Sequence, residues 1–214
     1  MTTIYFIRHS VRFDNDLIIK YNTTQSELIK SEKNILSIEG EERARLLSEA
    51  EELSNIDAVY VSNCVRTLAT AKYLMSKQRL NCILDERLDE RRVGKPNASK
   101  YPNWFSKQFL EPDFKTEGGE SQNDVVSRMN EIINEILTTK KGKRIAVFSH
   151  GYAIMFYLLQ YCKLLHVDDE KNIHFTYRDK DILNGLINAP EVFKVEYDKD
   201  KVTNIERIII PSLN

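Results

Sequence analysis

Glycine and proline are scarce in this chain, 7 and 5 among 214 residues, which excludes a collagen-like or low-complexity polymer. Cysteine is scarcer still. Cys64, Cys82 and Cys162 are odd in number and follow no disulfide-framework spacing, so a small secreted scaffold is excluded. None of the three has an arginine six positions on, which removes thiolate chemistry of the Cys-x5-Arg type. No apolar run approaches the roughly 18 residues that cross a bilayer, so no membrane partner is expected. Excess charge is missing too. Lys+Arg 31 against Asp+Glu 32 leaves a net charge of -1, and no global field draws the chain to nucleic acid. The chain opens directly on an apolar run with no signal-peptide pattern, so a reducing cytoplasm is the expected location. Nothing in the composition assigns an oligomeric state.

What the chain does contain is two histidines, each closing a short apolar run. Ile4-Tyr5-Phe6-Ile7-Arg8-His9-Ser10 opens the protein, and Ile145-Ala146-Val147-Phe148-Ser149-His150-Gly151 recurs late. Runs of this length and composition read as strands buried on both faces. In open α/β sheets the pocket lies beyond the carboxyl ends of such strands. Two strands therefore deliver an imidazole each to one crevice, and the first brings an arginine.

Between them the pattern alternates. Residues 14–34 are polar and aperiodic and read as a loop or short helices. A helix starts at Ser37 and carries Ala44, Leu47, Ala50 and Leu53 at three-residue steps; a strand follows at 58–61. A second helix spans Cys64 to Met75 with Leu68, Ala71 and Met75 on one face, then a short strand at 82–84. Residues 91–119 hold Pro96, Pro102, Pro112, Gly94, Gly118 and Gly119 and form an irregular excursion. Ser121 with Asp124 starts a strongly amphipathic helix through Val125, Met129, Ile132, Ile133 and Ile136. Strand 144–148, helix 152–162 and a hairpin turning at 198–200 complete the chain. The expected fold is one domain, 1–214, an α/β three-layer α/β/α sandwich with a mostly parallel central sheet and an antiparallel C-terminal edge hairpin.

Six motifs in order carry a resemblance. Arg8-His9-Ser10 with Asn15, Leu36-Ser37-Ile38-Glu39-Gly40, and Ser62-Asn63-Cys64-Val65-Arg66-Thr67-Leu68-Ala69-Thr70-Ala71 come first. Leu88-Asp89-Glu90 with Gly94, Gly118-Gly119-Glu120-Ser121 with Arg128, and Ser149-His150-Gly151 follow, with Asn188-Ala189 a weaker echo. Together they resemble the histidine phosphatase superfamily, also called phosphoglycerate mutase-like.

The resemblance implies a cofactor-independent phosphomonoesterase. His9 would be the nucleophile that forms a phosphohistidine, and Glu90 the proton donor to the leaving oxygen. His150 would add a contact as an imidazolium or hydrogen-bond donor. Arg8 and Arg66 suit equatorial phosphoryl oxygens, since guanidinium offers a planar fork of donors. Arg12 with Asp14 resembles the protein-tyrosine-phosphatase-like branch, so Arg12 joins the phosphate-binding set together with Asn15. Two positions depart from the family. Ser10 replaces a glycine, narrowing the pocket or adding a hydroxyl, and Val11 stands where many members have glutamate.

The excursion from Arg91 to Lys107 has five basic residues and no acidic one, interleaved with aromatics. Arg91, Arg92, Tyr101 and Trp104 are candidates for a wall facing the substrate, the alternative being a solvated lid. The partner is then a small-molecule or phosphopeptide phosphate ester. No metal is expected, because arginines beside His9 and His150 repel a cation. A mutase with the same histidine and a non-catalytic phospho-ligand module are the competing readings, and the short excursion favours hydrolysis.

Overall fold

A computed structural model describes residues 1–13, 32–95 and 100–213. Nine strands are described: β1 Thr2–Arg8, β2 Ala58–Val61, β3 Cys82–Leu84, β4 Arg144–Ser149, β5 Lys163–Val167, β6 Ile173–Tyr177, β7 Lys180–Gly185, β8 Glu191–Asp198 and β9 Lys201–Ile208. The helices are α1 Ile38–Ser48, α2 Val65–Gln78, α3 Trp104–Leu110, α4 Gln122–Thr139 and α5 Gly151–Leu158.

Strands β3-β2-β4-β1-β8-β9 form the central sheet. β1, β2, β3 and β4 are parallel, while β8 runs antiparallel to β1 and β9 to β8. The apolar runs of β1 and β4 are covered on both faces, which is why they show no polar alternation. Tyr5, Ile7, Ala146 and Phe148 face Leu47, Ala71 and Leu74 of α1 and α2. Ile4, Phe6, Ile145 and Val147 face Met129, Ile133 and Ile136 of α4 and the apolar α5. The expected three-layer sandwich and its C-terminal hairpin are present.

Several boundaries differ from expectation. The first helix ends at Ser48, and a 3-10 turn at Glu51–Leu53 still buries Leu53. In α2, Leu68 is 38% exposed, and the inward face is Arg66, Thr67, Thr70, Ala71 and Leu74. That helix buries polar groups in its first turns because they face the site. The excursion contains α3, whose Phe105 and Phe109 enter the core. The last predicted helix ends at Leu158, and 163–185 forms an unanticipated antiparallel sheet, β5-β6-β7. Phe175 and Leu183 pack its inner face on the α4–α5 side of the core.

Helix α4 begins with a complete capping box: the Asp124 N–H donates to Ser121 Oγ at 3.1 Å, and the Ser121 N–H to Asp124 Oδ2 at 3.0 Å. Val125, Met129, Ile132, Ile133 and Ile136 are all buried, worth roughly 1.5–3 kcal/mol each. Among the described residues no helix is long and apolar enough to cross a membrane. Replacing Ser121 by alanine removes the cap and is expected to cost about 1 kcal/mol. Calorimetry should show Tm lower by about 2–4 °C, and an unchanged Tm would make the cap energetically irrelevant.

Candidate active site

The register of the parallel sheet builds the site. Arg8 of β1 lies opposite Ser149 of β4, so His9 and His150 are the first residues beyond two adjacent strand ends. Their ring centroids are 5.3 Å apart and both are buried. A hollow of about 690 Å³ lined by Met1, Gly142 and Asp198 lies at the opposite strand ends and gathers none of these groups.

Hydrogen bonds assign both tautomers. His9 Nδ1 is 2.8 Å from the Ser10 carbonyl oxygen, which only accepts, so the proton sits on Nδ1 and Nε2 keeps its lone pair. His150 Nδ1 lies 2.9 Å from Arg66 Nη2, and guanidinium only donates, so Nδ1 accepts. His150 Nε2 then donates to Ser62 Oγ at 2.8 Å. Ser62 passes its hydroxyl to Thr67, whose hydroxyl is committed to the Cys64 carbonyl. Burial holds both imidazoles well below the ordinary histidine value, and Arg66 deepens the shift. Of the two expected forms, imidazolium or hydrogen-bond donor, burial disfavours the imidazolium; His150 is a neutral ring that accepts from Arg66 and donates to Ser62.

Arg8 anchors one edge of its guanidinium, with Nη1 donating to the carbonyls of Ile187 at 2.6 Å and Asn188 at 2.9 Å. Its buried Nε has no partner. Arg66 enters from the first turn of α2 and is also buried. Burial lowers the pKa of both, and the nearby Glu90 charge opposes that shift. Arg12 is exposed at the rim, paired through its backbone with Leu36, yet its charge reaches His9, Arg8 and Arg66. Asn15 lies outside the described residues.

Glu90 is fixed as a brace across the start of α5. Oε1 accepts from the Arg91 N–H at 2.9 Å and the Ala153 N–H at 3.0 Å; Oε2 has a looser 3.3 Å contact from Tyr152 N–H. Its loop is locked from three sides. Ser149 Oγ donates to the Leu88 carbonyl, Arg128 to the Arg87 carbonyl, and Glu120 binds Arg128 and the Arg92 N–H. Asp89 points elsewhere, accepting from Asn63 N–H at 2.8 Å, and burial pushes it up to about 6.

The motifs gain physical reasons here. A Cβ on Gly40 would come within 2.0 Å of the Val11 carbonyl oxygen, so only glycine lets α1 abut the chain after His9. Gly94 adopts φ +70, and a Cβ there would strike Glu117 and Gly119 backbone, where the Glu90 loop crosses the Gly-Glu-Ser segment. Thr70 accepts the Ser10 N–H at 2.9 Å. Ser10 itself is fully buried, and its Oγ has no partner.

The expected aromatic, cationic wall is corrected. Arg91 is buried, its guanidinium 4.5 Å from the Tyr152 ring and 5.0 Å from Trp104, with Nη1 on Gln108. It clamps α3 to α5 as a cation–π filling. Trp104 packs on the core, Tyr101 meets Phe114 edge-on, and Arg92 is exposed and paired with Glu120. Tyr152 and Ile187 lie outside the six motifs, and Asn188 belongs only to their weaker echo. Main-chain acceptors carry no residue signature. Ser62 and Thr70 were visible inside their motif, but not as partners of His150 and Ser10.

The profile of the histidine phosphatase superfamily (branch 1) matches residues 4–179, and the chain belongs to that superfamily. It is 28% identical over 144 residues to phosphoserine phosphatase 1 of Hydrogenobacter thermophilus, covering 64% of this chain and 67% of that protein. Its fold matches mycobacterial glucosyl-3-phosphoglycerate phosphatase in complex with inorganic phosphate, with TM-score 0.67, 15% identity and 97% and 95% of the two chains covered. Bacillus stearothermophilus YhfR matches with TM-score 0.64 at 19% identity, over 94% of each chain.

The buried histidines set a pH dependence of stability. Unfolded, both imidazoles titrate near 6.5; folded, they resist protonation. The unfolded chain therefore binds more protons as pH falls below about 6.5, and stability falls with it. Asp89 acts in the opposite sense below about 6, so the comparison must be made against a variant. Urea midpoints at about pH 7.5 and 5.5 should drop less in His150→Gln than in the parent. Equal drops would mean His150 is not held neutral.

Proposed function

We propose that this protein hydrolyses a phosphomonoester through a phosphohistidine on His9. The observation that carries the reading is the fixed tautomer: Nδ1–H is committed to the Ser10 carbonyl, leaving a neutral, unprotonated Nε2 among Arg8, Arg66 and Arg12. In the first step Nε2 attacks phosphorus, the ester P–O bond breaks, and Glu90 gives its proton to the leaving oxygen. In the second, water attacks, Glu90 takes its proton, and the N–P bond breaks to free phosphate. Oε2 is the proton-carrying atom, because Oε1 already holds two short backbone contacts.

Little covalent work is left to the arginines, which hold charge on the equatorial oxygens. Arg8 brings a buried, unpartnered Nε, and Arg66 is steadied by a neutral His150 in a way an imidazolium would prevent. The relatives' names, a phosphoserine phosphatase and a glucosyl-3-phosphoglycerate phosphatase, support a small anionic phosphate ester as substrate. Exposed Arg12, whose charge reaches His9 and Arg8, suits such a ligand.

A general acid matters in proportion to how poorly the leaving group departs. Glu90→Gln is expected to lower kcat/KM for an alkyl phosphate by about 10²–10⁴-fold, and for para-nitrophenyl phosphate far less. Equal losses on both substrates would make Glu90 a brace of α5 only. Arg66→Ala should cost roughly 2–4 kcal/mol in kcat/KM and weaken vanadate inhibition; unchanged vanadate inhibition would put Arg66 outside the phosphoryl contacts.

A further inference from the structure

At His150 three side chains from three segments converge. Cys64 follows β2, Asp89 follows the 3-10 turn at Glu86–Leu88, and His150 ends β4; the thiol sulfur, a carboxylate oxygen and a ring nitrogen all lie within 4.8 Å of one another. Cys64 and His150 are buried and Asp89 is half-buried. The reaction proposed above uses neither Cys64 nor Asp89.

We propose that Cys64, Asp89 and His150 form an inhibitory site for a borderline-soft divalent cation of the zinc type, whose occupancy excludes the Arg66–His150 contact. Sulfur, nitrogen and oxygen donors together are the set that zinc and cobalt favour over magnesium or calcium. Donors on one tetrahedral zinc sit about 3.5 Å apart, so side-chain adjustments of roughly 1 Å close the triad. Arg66 and Arg128 oppose a cation there. A thiolate and a carboxylate bound directly to it offset its two charges, and the Glu32 charge also reaches Cys64 and Asp89.

The inhibition follows from proton counting on one ring. Binding releases the Cys64 thiol proton, and the Asp89 proton when present, to solvent, while His150 stays a neutral imidazole with a single N–H. A cation on Nδ1 takes the place of Arg66 Nη2, which is 2.9 Å away. A cation on Nε2 displaces Ser62 and moves the ring proton to Nδ1, where it meets the Arg66 N–H. In both cases the acceptor that steadies Arg66 is lost. The site is thus linked to phosphoryl binding, and this consequence rests on the function proposed above.

Cobalt(II) added to the full-length protein is the direct probe. The parent should show a thiolate-to-cobalt charge-transfer absorption that zinc abolishes and that Cys64→Ser lacks. Asp89→Asn should weaken cobalt binding by at least about tenfold, the lower end seen even for outer-shell partners. Zinc should lower kcat/KM for para-nitrophenyl phosphate, because the acceptor that steadies Arg66 is lost. Cys64→Ser should raise the zinc inhibition constant at least about tenfold while its metal-free kcat/KM stays within about twofold of the parent. Absence of the thiolate band in a folded parent, or equal zinc inhibition of parent and Cys64→Ser, would overturn the proposal. A protein without turnover would sink only the functional reading, since the cobalt spectrum requires none.

Discussion

β1 and β4 lie side by side, parallel, with Arg8 opposite Ser149, and every distance in the site descends from that register. A shift of one residue would turn the apolar runs over and send Ile4 and Phe6 to the wrong helix layer. The register is therefore held by the whole core, and the two histidines are placed by packing rather than by their own contacts. β2 extends the same arrangement, with Val61 opposite Phe148, so Ser62 arrives beside His150.

That placement creates an electrostatic problem which the local hydrogen bonds resolve. Arg8 and Arg66 are buried beside two buried imidazoles, and desolvation weighs against every charge among them. The solution is to keep the rings neutral and give each guanidinium a neutral acceptor, carbonyls for Arg8 and Nδ1 of His150 for Arg66. When ionised, Glu90 adds a compensating negative charge nearby, and its carboxylate is tied to the start of α5. Arg91 is removed from competition by its aromatic cage. What remains at the strand ends is a buried cluster of neutral imidazoles and guanidinium cations.

Much of this was legible in the residues. Doubly buried strands, the amphipathic α4 and the capping box at Ser121 have strong local signals, and the structure bears them out. The order of six motifs pointed to the family that the profile match shows. What stayed hidden has identifiable causes. The β6–β7 hairpin turns through Arg178 and Asp179, both with positive φ, so it lacks the glycine or Asn-Gly that marks such turns. β5 is half-exposed and its apolar pattern is weak. Arg91 is ambiguous in sequence, because a cation among aromatics has the same signature whether it faces a ligand, solvent or a core. The protonation state of His150 is not legible because its partner, Arg66, is 84 residues away in sequence.

Covalent phosphorylation of His9 Nε2 is the step on which the proposed reaction turns. Rapid quench of the protein with 32P-labelled substrate, followed by peptide mapping under alkaline conditions, tests it most directly. An acid-labile, alkali-stable label is expected on the peptide carrying His9, and none in His9→Ala, which should remain folded with turnover below about a tenth of the parent. A label on another residue, or an unlabelled parent together with an active His9→Ala variant, would contradict it.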